Sequence, residues 1–434
     1  MNELEKELSE MDSFDAVKFI LNDITLDSLQ CIDIMKMLAS KHALISYATG
    51  LGKTILSAAV MRLLWNEDNN RRFIFFGKFA QMSQTPEKLE KYCGKKVIAS
   101  FATEQSIKTL IADRFTDYDV LFLTHHVLYN EAFMNWLFRN RSRYCGIFVD
   151  EAHELGNVNN TKAANILAGM SNQFEYFYAM TATPITTSTD QLAKLANMVD
   201  SKRYPSIATL KHKLNRGSFS IEDDPCFFIN RTRADFGSET DYKGIVEWVN
   251  PLPHQKKECG GSQLFQLCKG AGAFPQAKAL VRLIAERKGK RGLVYINQHS
   301  VRAWVLPFLD DAGIRYACVN GETKLKERTD IMRKFNEEDA YDVVITSVTE
   351  ALDLDCDYVI FYEFTVDVEQ MIGRAHRGLG NKSLDVIFVV TLDSGEIDYF
   401  YNNIFEISMT IKNLLRRDYS ELEQVNEEIK NVKV

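Results

Sequence analysis

Gly50-Leu51-Gly52-Lys53-Thr54 is a glycine-containing loop ending in a cation and a hydroxyl. It follows an apolar run and opens the helical stretch Ile55 to Trp65. Glycines let successive backbone N–H groups turn inward around phosphate oxygens. Lys53 can then reach the β and γ phosphates of a nucleoside triphosphate, and the Thr54 hydroxyl can coordinate magnesium. The bland alternative is a glycine-rich turn that caps a helix. The general loop pattern has a further glycine where this chain has Tyr47, so the match is to the core of the motif.

Asp150-Glu151-Ala152-His153 follows the apolar run Gly146 to Val149, which places two carboxylates at the carboxyl end of a buried strand. Ligands of open α/β sheets bind at that edge. Asp150 can hold the magnesium ion, directly or through water, and Glu151 is placed to orient and deprotonate an attacking water. A third segment, Gln370 to Arg377, carries Arg374 and Arg377 on one helical face. Guanidinium groups there could neutralise charge on a departing γ-phosphate. A basic helix surface making salt bridges is the alternative, and His376 serves packing as readily as chemistry.

These groups need a scaffold that alternates strands and helices, and the chain supplies one. Strand-like runs at His42 to Tyr47, Phe73 to Phe76, Val120 to Thr124, Cys145 to Val149 and Tyr176 to Met180 are separated by helical stretches. A second series follows at Gly292 to Ile296, Tyr341 to Thr346, Tyr358 to Tyr362 and Val386 to Val390. Such alternation predicts parallel sheets flanked by helices. Residues 1–24 read as an amphipathic helical lead-in, with Phe14, Val17, Leu21 and Ile24 at helical spacing, and packing against the first domain is expected of them. The expected division is a first domain over 25–205, a connection or small accessory element over 206–275, a second domain over 276–400 and a helical tail over 401–434.

The 434 residues suit two domains of common size. With 46% hydrophobic and 26% charged residues, the composition is that of a globular protein with sizeable cores. No apolar run approaches the ~18 residues that span a bilayer, so no membrane partner and a cytoplasmic setting are expected. The eight cysteines are scattered without metal-ligand spacing. A net charge of -7 excludes a uniformly basic coat for nucleic acid and leaves a local groove. The clusters Arg139/Arg141/Arg143 and Arg287/Lys288/Lys290/Arg291 could line one, but each reads more readily as a solvated face.

In order, these segments resemble the motifs of superfamily 2 helicases, most closely the Swi/Snf-like branch, over roughly residues 25 to 405. Leu26 to Gln30 is similar to the motif whose glutamine reads adenine, which makes Gln30 a candidate for base recognition. Met180-Thr181-Ala182-Thr183-Pro184 resembles the motif that couples hydrolysis to nucleic-acid movement. Phe227 to Arg233 looks like the Swi/Snf-like segment leading out of the first lobe. Asn320-Gly321-Glu322-Thr323, with Arg328 behind it, matches the region facing the tracked strand, and Gly373 to Arg377 is nearly the Swi/Snf-like arginine motif.

The resemblance implies an α/β fold of two tandem RecA-like domains with the ATP site in the inter-domain cleft. It implies ATP and magnesium as cofactors, and DNA, forked or branched, as partner. Catalytic roles fall to Glu151, Asp150, Lys53, Arg374 and Arg377, and nucleotide contacts to Gln30, Gly50, Leu51, Gly52, Lys53 and Thr54. Magnesium falls to Thr54 and Asp150, and coupling or nucleic-acid contact to Thr181, Thr183, Gly321, Thr346 and Gln370. Two departures stand out. The glycine-rich stretch usual after Thr346-Ser347 is missing, and Phe76-Gly77-Lys78-Phe79 replaces a proline-containing segment, leaving Lys78 as a guess for a phosphate contact. A compact motor of this size resembles phage and bacterial helicases acting on branched DNA, in a bacterial cell or phage-infected host. An RNA helicase, or a sensing ATPase that clamps nucleic acid without unwinding it, are the alternatives.

Overall fold

Strands buried on both faces read as unbroken apolar runs, because helices cover each side of a parallel sheet. The computed structural model describes residues 10–21, 23–78, 85–100, 104–112, 118–156, 161–186, 188–238, 240–250, 274–347, 352–376, 382–392 and 394–432. The chain splits into two compact units, Met1–Phe236 and Gly237–Val434.

The first unit opens with α1 (Asp12–Ile20) and α2 (Ser28–Ser40), followed by β1 (His42–Tyr47), α3 (Lys53–Glu67), β2 (Phe73–Gly77), α4 (Thr85–Cys93), β3 (Val97–Ser100) and α5 (Glu104–Ile111). It continues with β4 (Val120–Thr124), α6 (Glu131–Asn140), β5 (Gly146–Val149), α7 (His153–Gly156), α8 (Thr161–Ser171), β6 (Tyr176–Thr181), α9 (Thr189–Val199), α10 (Ile207–Asn215) and β7 (Phe228–Arg231). The strands form a 7-stranded parallel sheet in the order β3-β4-β2-β5-β6-β1-β7. Every residue of β1, β2, β4, β5 and β6 is buried. Phe75 stacks between Phe122 and Phe148, with ring centroids 5.3 and 6.2 Å away. Phe14, Val17, Leu21 and Ile24 join the same core, so the N-terminal apolar stripe is a packing face. In register, Val149 lies opposite Ala179 and Thr181 opposite Ser46, which brings the carboxyl ends of β5, β6 and β1 side by side.

The second unit contains β8 (Thr240–Val249), α11 (Phe274–Ala285), β9 (Gly292–Tyr295), α12 (His299–Asp311), β10 (Tyr316–Val319), α13 (Leu325–Glu337) and β11 (Val343–Thr346). After these come β12 (Tyr358–Phe361), α14 (Val368–Arg374), β13 (Lys382–Thr391), α15 (Glu396–Phe400), α16 (Glu406–Leu415) and α17 (Ser420–Val432). Its 6-stranded sheet is parallel in the order β10-β11-β9-β12-β13-β8. The architecture is therefore α/β in both units, each a parallel sheet with helices.

The segment expected to connect the domains is divided between them instead. Helix α10 and strand β7 belong to the first unit, where Tyr204, Phe219, Phe227 and Phe228 form an aromatic cluster. Strand β8 belongs to the second unit, pairing along its whole length with β13. Residues 251–273 of that segment lie outside the described residues. The helical tail is part of the second unit as well. Helix α17 lies along β8, so close that a Cβ at Gly244 would run into the Glu421 carbonyl. Its side chains meet the free edge of the strand: Gly244 N donates to Gln424 Oε1 (2.7 Å) and Val246 N to Glu428 Oε2 (3.1 Å). Among the described residues no helix is long and apolar enough to cross a membrane.

Candidate functional site

The loop between β1 and α3 is shaped by glycine. Gly50 and Gly52 have φ of 86° and 85°, values L side chains rarely adopt, and Gly52 is the residue from which α3 starts. Lys53 and Thr54 occupy the first turn of the helix, where its unsatisfied N–H groups favour an anion. Lys53 Nζ donates to the Tyr47 carbonyl at 3.1 Å. Gln30, expected to read a base, is also a local brace. Its Oε1 accepts from Asp27 N (2.9 Å) in a capping box, and its Nε2 donates to the Leu51 carbonyl (3.0 Å).

Next to this loop, β5 delivers the carboxylates. Asp150 is 3% exposed, and its Oδ1 accepts the Glu151 N–H at 2.9 Å. Glu151 has a φ of 49°, a left-handed conformation that strains a residue with a Cβ. His153 links this corner to β6: its Nδ1 lies 3.0 Å from Thr181 Oγ1 and 3.4 Å from Glu151 Oε2. Thr181 Oγ1 also accepts the Thr183 N–H (3.0 Å), so both threonines after β6 are built into the same corner. Lys78 pairs with Glu154 at 2.9 Å, which gives it a role next to His153. Burial pushes the Glu154 carboxyl up, but Lys78 beside it holds it below the usual range.

On the second unit, Gly321 follows β10, Thr346 ends β11 and α14 follows β12, so all three lie at the carboxyl edge of the sheet. Gly321 is exposed with open space around it, Thr346 is fully buried, and Gln370 is buried in α14. Arg374 ends α14, half-buried, and its carbonyl accepts Leu354 N (2.9 Å). His376 Nδ1 lies 3.0 Å from Thr240 Oγ1, a packing role. Arg377 lies outside the described residues.

A model of the type III restriction enzyme res subunit matches residues 15–186, and one of the helicase conserved C-terminal domain matches residues 275–378. A curated human relative, the SWI/SNF-related matrix-associated actin-dependent regulator of chromatin subfamily A containing DEAD/H box 1, is 25% identical over 176 residues. The chain is similar to superfamily 2 helicases of the Swi/Snf-like kind. The match covers 39% of this chain, which spans 17% of that relative's length. Among solved structures, the chain is similar to a Sulfolobus solfataricus SWI2/SNF2 ATPase core in complex with dsDNA, at 17% identity and a TM-score of 0.42, covering 94% of this chain and 96% of that one.

The motifs of the first unit converge on neighbouring strand ends and those of the second on its own carboxyl edge. The two basic clusters do not join them. Arg139/Arg141/Arg143 precede β5 and Arg287/Lys288/Lys290/Arg291 precede β9, which puts both at amino ends of their strands. Arg287 pairs with Asp385 (3.3 Å) and Arg291 with Asp355 (3.0 Å), the ordinary fate of surface charge.

Sequence reasoning missed His125. Its Nε2 lies 2.9 Å from the Asp150 carbonyl, and burial pushes its pKa down to about 4. A neutral ring is thus built in. The unfolded chain takes up this proton near pH 6.5 and the folded one near 4, so stability is full above 6.5 and is lost as pH falls through that window. The loss expected is about 3 kcal/mol by pH 4. Urea titrations of wild type and His125→Gln between pH 7 and 4.5 should show a steeper decline in the wild type, and parallel curves would remove His125 as the cause.

Proposed function

We propose that this chain is an ATP-driven DNA helicase or translocase that remodels forked or branched DNA. The observation that carries the reading is the chain of contacts from Glu151 through His153 to Thr181 and Thr183. It ties the residue suited to activating water to the segment that resembles the coupling motif. A protein that only binds nucleotide needs no such link.

Gly50 and Gly52, with their positive φ, and the first turn of α3 fit a triphosphate. The loop with Lys53 and Leu51 would cradle phosphates, Gln30 would contact the base, and Thr54 with Asp150 would hold magnesium. Bound magnesium-ATP supplies the electrophilic phosphorus and the free energy. Glu151 would take the proton of the attacking water, and Arg374 and Arg377 are the proposed source of positive charge for the phosphoryl group as it passes from ADP to water. Gly321, Thr346 and Gln370 are the proposed coupling or strand-contacting positions. Grip on phosphates suits a motor that must not stall on particular bases. The Swi/Snf-like form of the motifs, and a relative named as a regulator of chromatin, favour DNA over RNA.

Steady-state ATP hydrolysis by wild type and Lys53→Ala tests this with no nucleic acid, single-stranded DNA, duplex DNA, forked DNA, a four-way junction and single-stranded RNA. Stimulation greatest with forked or branched DNA, and absent in Lys53→Ala, is expected. Stimulation by RNA alone would assign the protein to RNA, and stimulation by none would leave a sensing ATPase.

A further inference from the structure

Tyr47, which replaces a glycine of the usual loop pattern, is part of a buried charge cluster. Its hydroxyl donates to Asp33 Oδ2 at 2.5 Å. The same carboxylate receives Arg231 through two bonds, Nε to Oδ2 and Nη2 to Oδ1, both 2.7 Å. Lys36 lies 3.7 Å from Asp33 Oδ1, and all four side chains are buried. Two residues beyond Arg231, Arg233 Nη2 donates to the Thr49 carbonyl at 3.1 Å, and a Cβ at Gly50 would stand 3.2 Å from that nitrogen. Both arginines belong to the segment that ends the first unit at Phe236.

We propose that Arg233, supported by the Arg231–Asp33–Tyr47 cluster, is a positioning residue for the phosphate loop. In a trans peptide the C=O and N–H point opposite ways. A cation that fixes the Thr49 carbonyl therefore aims the Gly50 N–H away from Arg233. Because the cation sits in the turn just after β7, where the chain leaves the unit, loop geometry and exit-segment position form one linked equilibrium. Whatever displaces the exit segment then changes nucleotide affinity, and nucleotide changes the exit segment by the same factor. This inference rests on the ATP-site reading above.

The test uses the full chain: equilibrium binding of a fluorescent ADP, KM and kcat for ATP with DNA present, and melting temperature, for wild type, Arg233→Ala, Arg233→Lys, Tyr47→Phe and Lys53→Ala. Arg233→Ala should weaken ADP binding and raise KM roughly 10- to 100-fold, the range for a hydrogen bond from a charged donor. Its melting temperature should stay near wild type, and Arg233→Lys should recover part of the affinity. A purely structural role would move melting temperature and not the affinity of the folded protein. Wild-type ADP affinity and KM in a normally melting Arg233→Ala would overturn the proposal. If that variant fails to fold, Tyr47→Phe, which loses one hydroxyl, decides by the same criterion. If Lys53→Ala also binds and turns over ATP like wild type, the ATP-site reading falls too; normal behaviour of the Arg233 and Tyr47 variants alone removes only the positioning role.

Discussion

Glu151→Gln should lower nucleic-acid-stimulated ATP turnover by roughly 10²- to 10⁴-fold, the usual contribution of a positioned general base. Nucleotide affinity should stay close to wild type. The amide keeps the size of the side chain, so packing at the end of β5 and the contacts of His153 with Thr181 can persist. What it loses is the ability to accept a proton. The backbone sharpens the expectation: a φ of 49° at a residue with a Cβ costs of order 1 kcal/mol or more, a strain retained where it aims a side chain. Single-turnover hydrolysis with saturating DNA is the measurement. Turnover within a few-fold of wild type would assign the base to another group.

Glu421→Gln should stabilise the second unit, increasingly so as pH rises from about 4.5 to about 8. Burial pushes the Glu421 carboxyl up to about 8, helped by Asp418, Glu369 and Glu423, and among the described residues its Oε2 has no hydrogen-bond partner. Folded, it keeps its proton until near pH 8; unfolded, it releases it near 4.5. The folded state therefore binds more protons between these values, and stability is fully present below 4.5 and lost as pH rises through 8. The loss is on the order of 4 kcal/mol at pH 8.5. For a unit of this size that is roughly 10 °C in melting temperature. Melting curves of wild type and variant should coincide near pH 4.5 and separate by pH 8.5, and a constant offset would mean that the carboxyl does not titrate as placed.

Legibility followed sequence distance. The Gly50–Thr54 loop and the Asp150-Glu151 pair could be picked out as candidates because each is a contiguous run of telling residue types directly after an apolar strand. The Asp33–Arg231 pair could not, since its partners are 198 positions apart and neither carries a signal alone. Tyr47, at odds with the loop pattern, was the only mark in the sequence of something behind the loop. The same logic applies to strands. β1 and β5 are wholly buried and read as apolar runs, whereas β8 is an edge strand whose exposure varies along its length, with Gly244 in its middle, and it passed for linker. Gln30 stood out as a candidate for base recognition, but its capping box with Asp27 and its bond to Leu51 are a structural task that the sequence did not reveal.

The last helix also determines what the second sheet can recruit. A bare edge strand offers a row of N–H and C=O groups that another chain can zip onto. Here Gln424 and Glu428 satisfy the Gly244 and Val246 N–H groups with side chains, and Gln424 Nε2 reaches the Tyr242 carbonyl at 3.4 Å. The helix thus stands in for a missing neighbour and closes the sheet to templated growth. Self-association through this edge requires α17 to peel away first. Because burial of Glu421 on that helix disfavours its ionised form, rising pH weakens the helix that guards this edge.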